Sequence, residues 1–182
     1  MAFCKIFGYT KKELVGRNIK TLMPKLISEH HDKFVLKNLD RIKISCCSTI
    51  EHDIATFGLH QSKYIFPMAI KLQSAPNLLN DMQYIAKIKT DKKYSSNKVA
   101  FVILNKKKEV VEITSSCISM LNISIATLSN YTIDMTTIAP DLVRKEKVQS
   151  YLQKGGGRIK IYHPTAEHRQ RIFSINITLN RC

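Results

Sequence analysis

Apolar positions recur along this chain first at helical and then at strand spacing, and the change of period marks out its elements. Residues 1–8 place Phe3, Ile6 and Phe7 ahead of Gly8, the pattern of a last helical turn with a glycine stop. Thr10 stands three residues before Glu13 and just ahead of Leu14 and Val15. That capping-box spacing predicts a short helix, ended by Gly16. Residues 18–24 carry Ile19, Leu22 and Met23 to a proline that closes the segment. Ser28 is then the expected cap of a helix over 29–44, with apolar Phe34, Val35, Leu39 and Ile42. His31, Val35, Leu39 and Ile42 follow the four-four-three step of one helix face, so His31 is expected to look inward. His30 is expected on the flank with Lys37 and Arg41.

The period then shortens. Tyr64, Phe66, Met68, Ile70 and Leu72 alternate as a strand does, with Pro67 pointing to an edge or bulge position. A turn is expected over 75–81 and a second strand over 82–89. This first stretch reads as helices followed by an antiparallel pair, an α+β order. Residues 91–98 are polar and aperiodic and read as a linker. Beyond it, 99–104 and 110–113 form an expected hairpin across a basic turn, and Ser115 and Ser116 open a helix with Cys117, Ile118, Met120 and Leu121. Short helical pieces continue to Pro140. The glycines at 155–157 make a turn before strands at 158–162 and 171–179.

Composition refines this picture. The chain has 182 residues, of which 44% are hydrophobic and 24% charged, as suits a folded core and not a disordered tail. Its longest apolar run, 99–104, is far short of the roughly 20 residues that span a bilayer, and no apolar signal segment follows Met1. Cys4, Cys46, Cys47, Cys117 and Cys182 are odd in number and form no CxxC pair. They suggest neither a disulfide framework nor a zinc site, and a reducing intracellular, cytoplasmic setting is expected. The adjacent Cys46 and Cys47 with His52 have a ligand-like composition but poor spacing for one tetrahedral metal. The sequons at Asn122, Asn130 and Asn176 follow from abundant Asn, Ser and Thr.

Net charge is +15, which raises a nucleic-acid partner as the competing class. The excess is spread as +8 over residues 1–95 and +7 over the rest, with 22 Lys against 7 Arg. No aromatic residues interleave with the basic clusters at 87–93, 106–108 and 144–147, so the pattern argues against a nucleic-acid platform. The glycine run lacks the lysine and helix of a phosphate loop, and no nucleophile triad or carboxylate pair has a catalytic spacing, so no enzymatic role is expected.

The strings Phe7-Gly8-Tyr9-Thr10, Glu13-Leu14-Val15-Gly16-Arg17-Asn18 and Leu22-Met23-Pro24, continued through Ser28 to Asp32 and into Phe66-Pro67-Met68, resemble the middle of a PAS domain. Residues 99–182 resemble a second, looser PAS-related unit through Val102-Ile103-Leu104-Asn105 and Val110-Val111-Glu112-Ile113. The whole is similar to tandem PAS proteins of the ciliate type. The resemblance implies an α+β fold, an antiparallel sheet with helices on one face, in two tandem units: 1–90, a linker at 91–98, and 99–182. The first unit would lack its two opening strands, as in a fragment of a longer, membrane-associated protein.

What the resemblance implies about function is a non-catalytic sensory and signal-transduction module. Its partners would be other PAS or effector domains, a second copy of the chain, or an unidentified small ligand. A pocket would be lined by Ile19, Leu22, His31, Phe34, Val35, Leu39, Phe66, Met68 and Ile70, or these residues would simply fill a core. A flavin photocycle is disfavoured, because Ile19 stands where photosensor relatives carry their reactive cysteine. Met23-Pro24, six residues, then His31-Asp32 matches the string of haem-binding PAS gas sensors, which makes His31 a candidate haem ligand. Lys37 replaces the arginine of those sensors, and their strand arginine has no counterpart near Ile54.

Overall fold

The computed structural model describes residues 2–43, 53–76, 82–90, 99–121, 123–154, 157–162 and 170–175. The protein is α+β and divides into two compact units, Met1–Val99 and Ala100–Cys182. Among the described residues no helix is long and apolar enough to cross a membrane. Cys46, Cys47 and His52, the linker at 91–98 and the strand end beyond Ile175 lie outside the described residues.

The first unit begins with α1 (Ala2–Phe7), α2 (Lys11–Leu14), a 3-10 turn (Ile19–Leu22) and α3 (Lys25–Lys43). Gly8 stops α1 at φ 77°, a left-handed conformation that costs a side-chain-bearing residue about 1–2 kcal/mol. The expected capping box is present: the Glu13 N–H donates to Thr10 Oγ1 at 3.4 Å, and the Thr10 N–H donates to Glu13 Oε2 at 2.7 Å. Asn18 caps the 3-10 turn by accepting from the Lys20 N–H at 2.9 Å. Ser28 does not cap the long helix. The Pro24 carbonyl accepts the N–H groups of Ile27 and Ser28, so the helix starts at Lys25, and the Ser28 hydroxyl donates back to the Lys25 carbonyl at 2.9 Å.

Three strands follow, β1 (Ile54–Leu59), β2 (Ile65–Pro76) and β3 (Met82–Thr90), antiparallel in the order β1-β2-β3. The expected pair is thus three strands, and Ala75 and Pro76 extend β2 where a turn was expected. Ile70 pairs with Ile54 on one side and Ile88 on the other, so isoleucines cross the sheet in one row. Pro67 lies opposite Phe57, one residue past the end of the β3 register at Met68 and Thr90. Among the described residues it is beside only β1, and its missing N–H breaks no bond of the described β3 register. Phe66, Met68, Ile70 and Ile88 pack with Phe3, Ile6, Phe7, Tyr9, Leu14 and Leu22, so the helical segments cover that sheet face.

The second unit opens with β4 (Val102–Leu104) and β5 (Val110–Ile113), then α4 (Ser115–Leu121), α5 (Ile125–Asn130), α6 (Met135–Ile138), a 3-10 turn (Pro140–Leu142), α7 (Lys145–Gln153) and the antiparallel pair β6 (Gly157–Tyr162) and β7 (Gln170–Ile175). Strand β4 is shorter than the run at 99–104 suggested. Asn105 builds the hairpin turn: its Oδ1 accepts the N–H groups of Lys107 at 2.9 Å and Glu109 at 3.0 Å. Thr114 ties the hairpin's far end to α4 by accepting from the Phe101 N–H at 3.0 Å and sharing a hydrogen bond with Ser116 at 2.9 Å. The core gathers Val110, Ile113, Cys117, Leu121, Ile123, Met135, Ile138 and Ala139. Burial pushes the Cys117 thiol up to about 12.

A Cβ at Gly8 would come within 2.3 Å of the His60 ring, in addition to the strain of its positive φ. Gly8→Ala is expected to destabilise the first unit by about 2 kcal/mol or more. Adding His60→Ala should recover part of the loss, a coupling that urea denaturation of the single and double variants measures directly.

Candidate functional site

The sequence-derived pocket residues divide between interior and surface. Leu22 and Met68 are buried, and Phe66 and Ile70 pack with them around Phe7, which has no exposed surface. The Phe7 ring lies 4.9 Å from Phe3 and 5.1 Å, edge-on, from Phe66. At these centroid spacings the rings are in contact, and they fill the middle of the core. Ile19 and Phe34, by contrast, are 46% and 52% exposed, so neither lines the interior of this unit. Val35 is half-buried. Leu39 belongs to α3, with its side chain outside the described residues.

His31 sits at the half-buried margin of α3, its Nδ1 3.6 Å from Asp32 Oδ1. Asp32 in turn accepts from the Lys20 ammonium, and that hydrogen bond holds its carboxyl below the usual carboxylate range. A carboxylate beside one ring nitrogen is an arrangement that can orient an imidazole. Here it belongs to a cluster tying α3 to the 3-10 turn, with Asp32 largely exposed. Among the described residues no three His, Cys, Asp or Glu side chains converge as a metal set.

Beside the expected inward face, where His31 and Val35 are half-buried, α3 carries exposed apolar side chains. Phe34 is 52% and Leu36 62% exposed, and two residues advance about 200° around a helix. Solvent therefore reaches nearly opposite sides of α3. Leu26 nearer its start is exposed as well. Across the sheet, Lys71 stands directly opposite Lys87, a like-charge pair, while Lys89 reaches Asp53 at 3.2 Å. In the second unit Lys106, Lys107 and Lys108 occupy the exposed hairpin turn, and Arg144 and Lys147 are exposed at the start of α7. The basic residues are thus distributed over a turn, a sheet and a helix end.

His60, which the sequence reading did not single out, has a defined side-chain geometry in the first unit. Its ring stacks on Tyr64 at 4.4 Å and 11°, and its Nδ1 accepts from the Ser62 N–H at 3.0 Å. The neighbouring Gln61 N–H donates to the Phe7 carbonyl at 2.9 Å, joining this turn to α1. With Nδ1 accepting, the proton of the neutral ring is on Nε2. Burial lowers the His60 pKa from its ordinary value. A histidine two residues before a serine between strands is the one trace of this in the sequence.

No protein-family model matches the chain, and no curated protein matches it either.

Two outcomes follow from these contacts. Because the folded His60 pKa is depressed, the unfolded chain binds the extra proton first, so its contribution to stability is complete above about pH 6.5 and is lost as pH falls from there through the folded value. The urea midpoint should drop between pH 7.5 and 5.5, and His60→Asn should flatten that slope. Lys71→Glu, which replaces a repulsive cross-strand pair with an attractive one, should stabilise the first unit by about 0.5–1 kcal/mol in low salt and by less in high salt.

Proposed function

We propose that the chain is a non-catalytic sensory and signal-transduction module, with a PAS-like first unit and a PAS-related second one, that works by docking a partner protein domain. The observation that carries this reading is the pairing, in the first unit, of an aromatic-packed core with partly exposed apolar side chains on α3. The aromatic rings of Phe3 and Phe66 both pack against Phe7 in the core, which supports docking over ligand binding. Phe34 and Leu36 meanwhile present large apolar side chains on two sides of α3. The succession of short helices, a long helix and antiparallel strands over Ala2–Thr90 supports the PAS-like part, since the motif string from Phe7 to Pro24 falls on those helices in order.

In this reading the relay is a population shift. A partner that covers α3 favours the arrangement in which Lys20 and Asp32 hold the helix to the 3-10 turn, and attached segments respond to that bias. A ligand between Leu22, Phe66 and Met68 would instead have to part the rings around Phe7. The test is a photo-crosslinking residue at position 34 or 36 of the full chain, expressed in its source cells. A discrete protein adduct at both positions, absent when the crosslinker is at exposed Lys63, is expected. Equal labelling at all three positions, or an adduct removed by nuclease, would overturn the reading. Leu36→Ser should meanwhile change folding stability by no more than about 0.5 kcal/mol, whereas Leu22→Ala should cost about 2–5 kcal/mol, both read by urea denaturation.

A further inference from the structure

A shallow, open cleft of about 510 Å³ lies on the surface of the second unit, and Lys108, Thr136, Pro140, Val143 and Arg144 line it. Its two cations come from separate elements, Lys108 from the β4–β5 turn and Arg144 from the residue before α7. Both are fixed through the backbone. Lys108 has φ 69°, its N–H donates to the Asn105 carbonyl at 2.9 Å, and its carbonyl accepts from the Met135 N–H at 3.0 Å. Arg144 accepts the Val148 N–H at 3.0 Å in the first turn of α7.

The remaining wall is set by its neighbours. Thr136 donates its N–H to Asp134 Oδ1 at 2.8 Å, and its hydroxyl also faces that carboxylate, so Thr136 presents a neutral surface. Those bonds, with Lys108 nearby, keep Asp134 ionised, which offsets part of the Lys108 field. Among the described residues neither Lys108 nor Arg144 lies within ion-pair distance of a carboxylate. Pro140 and Val143 add an apolar floor.

We propose that this cleft binds a small organic phosphate, its dianion held between Lys108 and Arg144 and its organic part laid against Pro140 and Val143. A dianion matches two separated cations, and a guanidinium fork suits phosphate oxygens better than a point charge does. An inorganic phosphate would leave the apolar floor unused, and a carboxylate would engage one cation well and the other poorly. The site is independent of the docking surface on α3.

The test is titration calorimetry of the full chain with phenyl phosphate, inorganic phosphate and benzoate. Phenyl phosphate should bind saturably at one site, at least about tenfold tighter than either of the others, and more weakly as salt is raised. Arg144→Gln and Lys108→Asn should each weaken it about tenfold or more without lowering the melting temperature; asparagine is chosen because it tolerates the left-handed backbone at 108. Lys106→Gln, on the same turn, should bind as the parent does. If the Lys108 variant melts lower, Arg144→Gln alone carries the comparison. Absence of saturable binding below about 10 mM, equal affinity for all three anions, or an equal loss in Lys106→Gln would overturn the proposal.

Discussion

Phe7 has no exposed surface, and its ring touches Phe3 on the same helix and Phe66 on β2, so it sits at the centre of the helix–sheet contact in the first unit. Burying a phenylalanine contributes about 1.5–3 kcal/mol, and aromatic pairing adds to it. Everything around Phe7 serves to hold that contact. Gly8 turns the chain immediately after it, the Phe7 carbonyl takes the Gln61 N–H, and the Nε2 edge of His60 occupies the space that Gly8 leaves empty. The β1–β2 turn is thereby fastened to the end of α1 by a backbone hydrogen bond and by close packing, with both fastenings next to the ring that organises the core.

The second unit solves the same problem differently. It has no aromatic centre among its described core residues, and relies on aliphatic side chains of moderate size, Ile113, Ile123, Ile138 and Leu121, around Cys117 and Met135. Short helices are costly to nucleate, so each needs a local stabiliser. Ser124 caps α5, Asp134 caps α6, and the Lys108 carbonyl takes the first free N–H of α6. The hairpin turn therefore does more than reverse the chain, since it also finishes a helix that is too short to stand unaided. Its charge follows from position: three lysines can share that turn because the backbone groups, not the side chains, carry the structural load.

Elements defined by local chemistry were legible in the sequence. The Thr10 and Glu13 capping box, the glycine stops, the basic hairpin turn before Val110 and the start of α4 each depend on residues within a few positions, and each appears where the spacing put it. Strand β1 was not legible. Its Gly58 reads as a breaker, yet a Cβ there would sit 2.6 Å from the Phe66 ring, so the glycine is required by a neighbour eight residues away. The start of α3 was misplaced for a similar reason, because Ser28 is a good cap by type while the Pro24 carbonyl had already taken the first helical bonds. For the candidate site, periodicity gave Leu22 and Met68 their inward faces. It could not show that Ile19 and Phe34 would be left at the surface, because phase fixes which residues share a face and not what packs against that face.

Cys117 lies at the centre of the second core, and its burial has a chemical meaning beyond packing. With a pKa near 12, about one thiol in 10⁵ is ionised at neutral pH, and only the thiolate reacts readily with oxidants and electrophiles. The sulfur is thus silent for as long as the aliphatic shell stays closed and becomes reactive once it opens. This protein carries an internal clock: the rate at which a thiol reagent modifies Cys117, resolved from the other four cysteines by peptide mapping, measures how often the second unit breathes open.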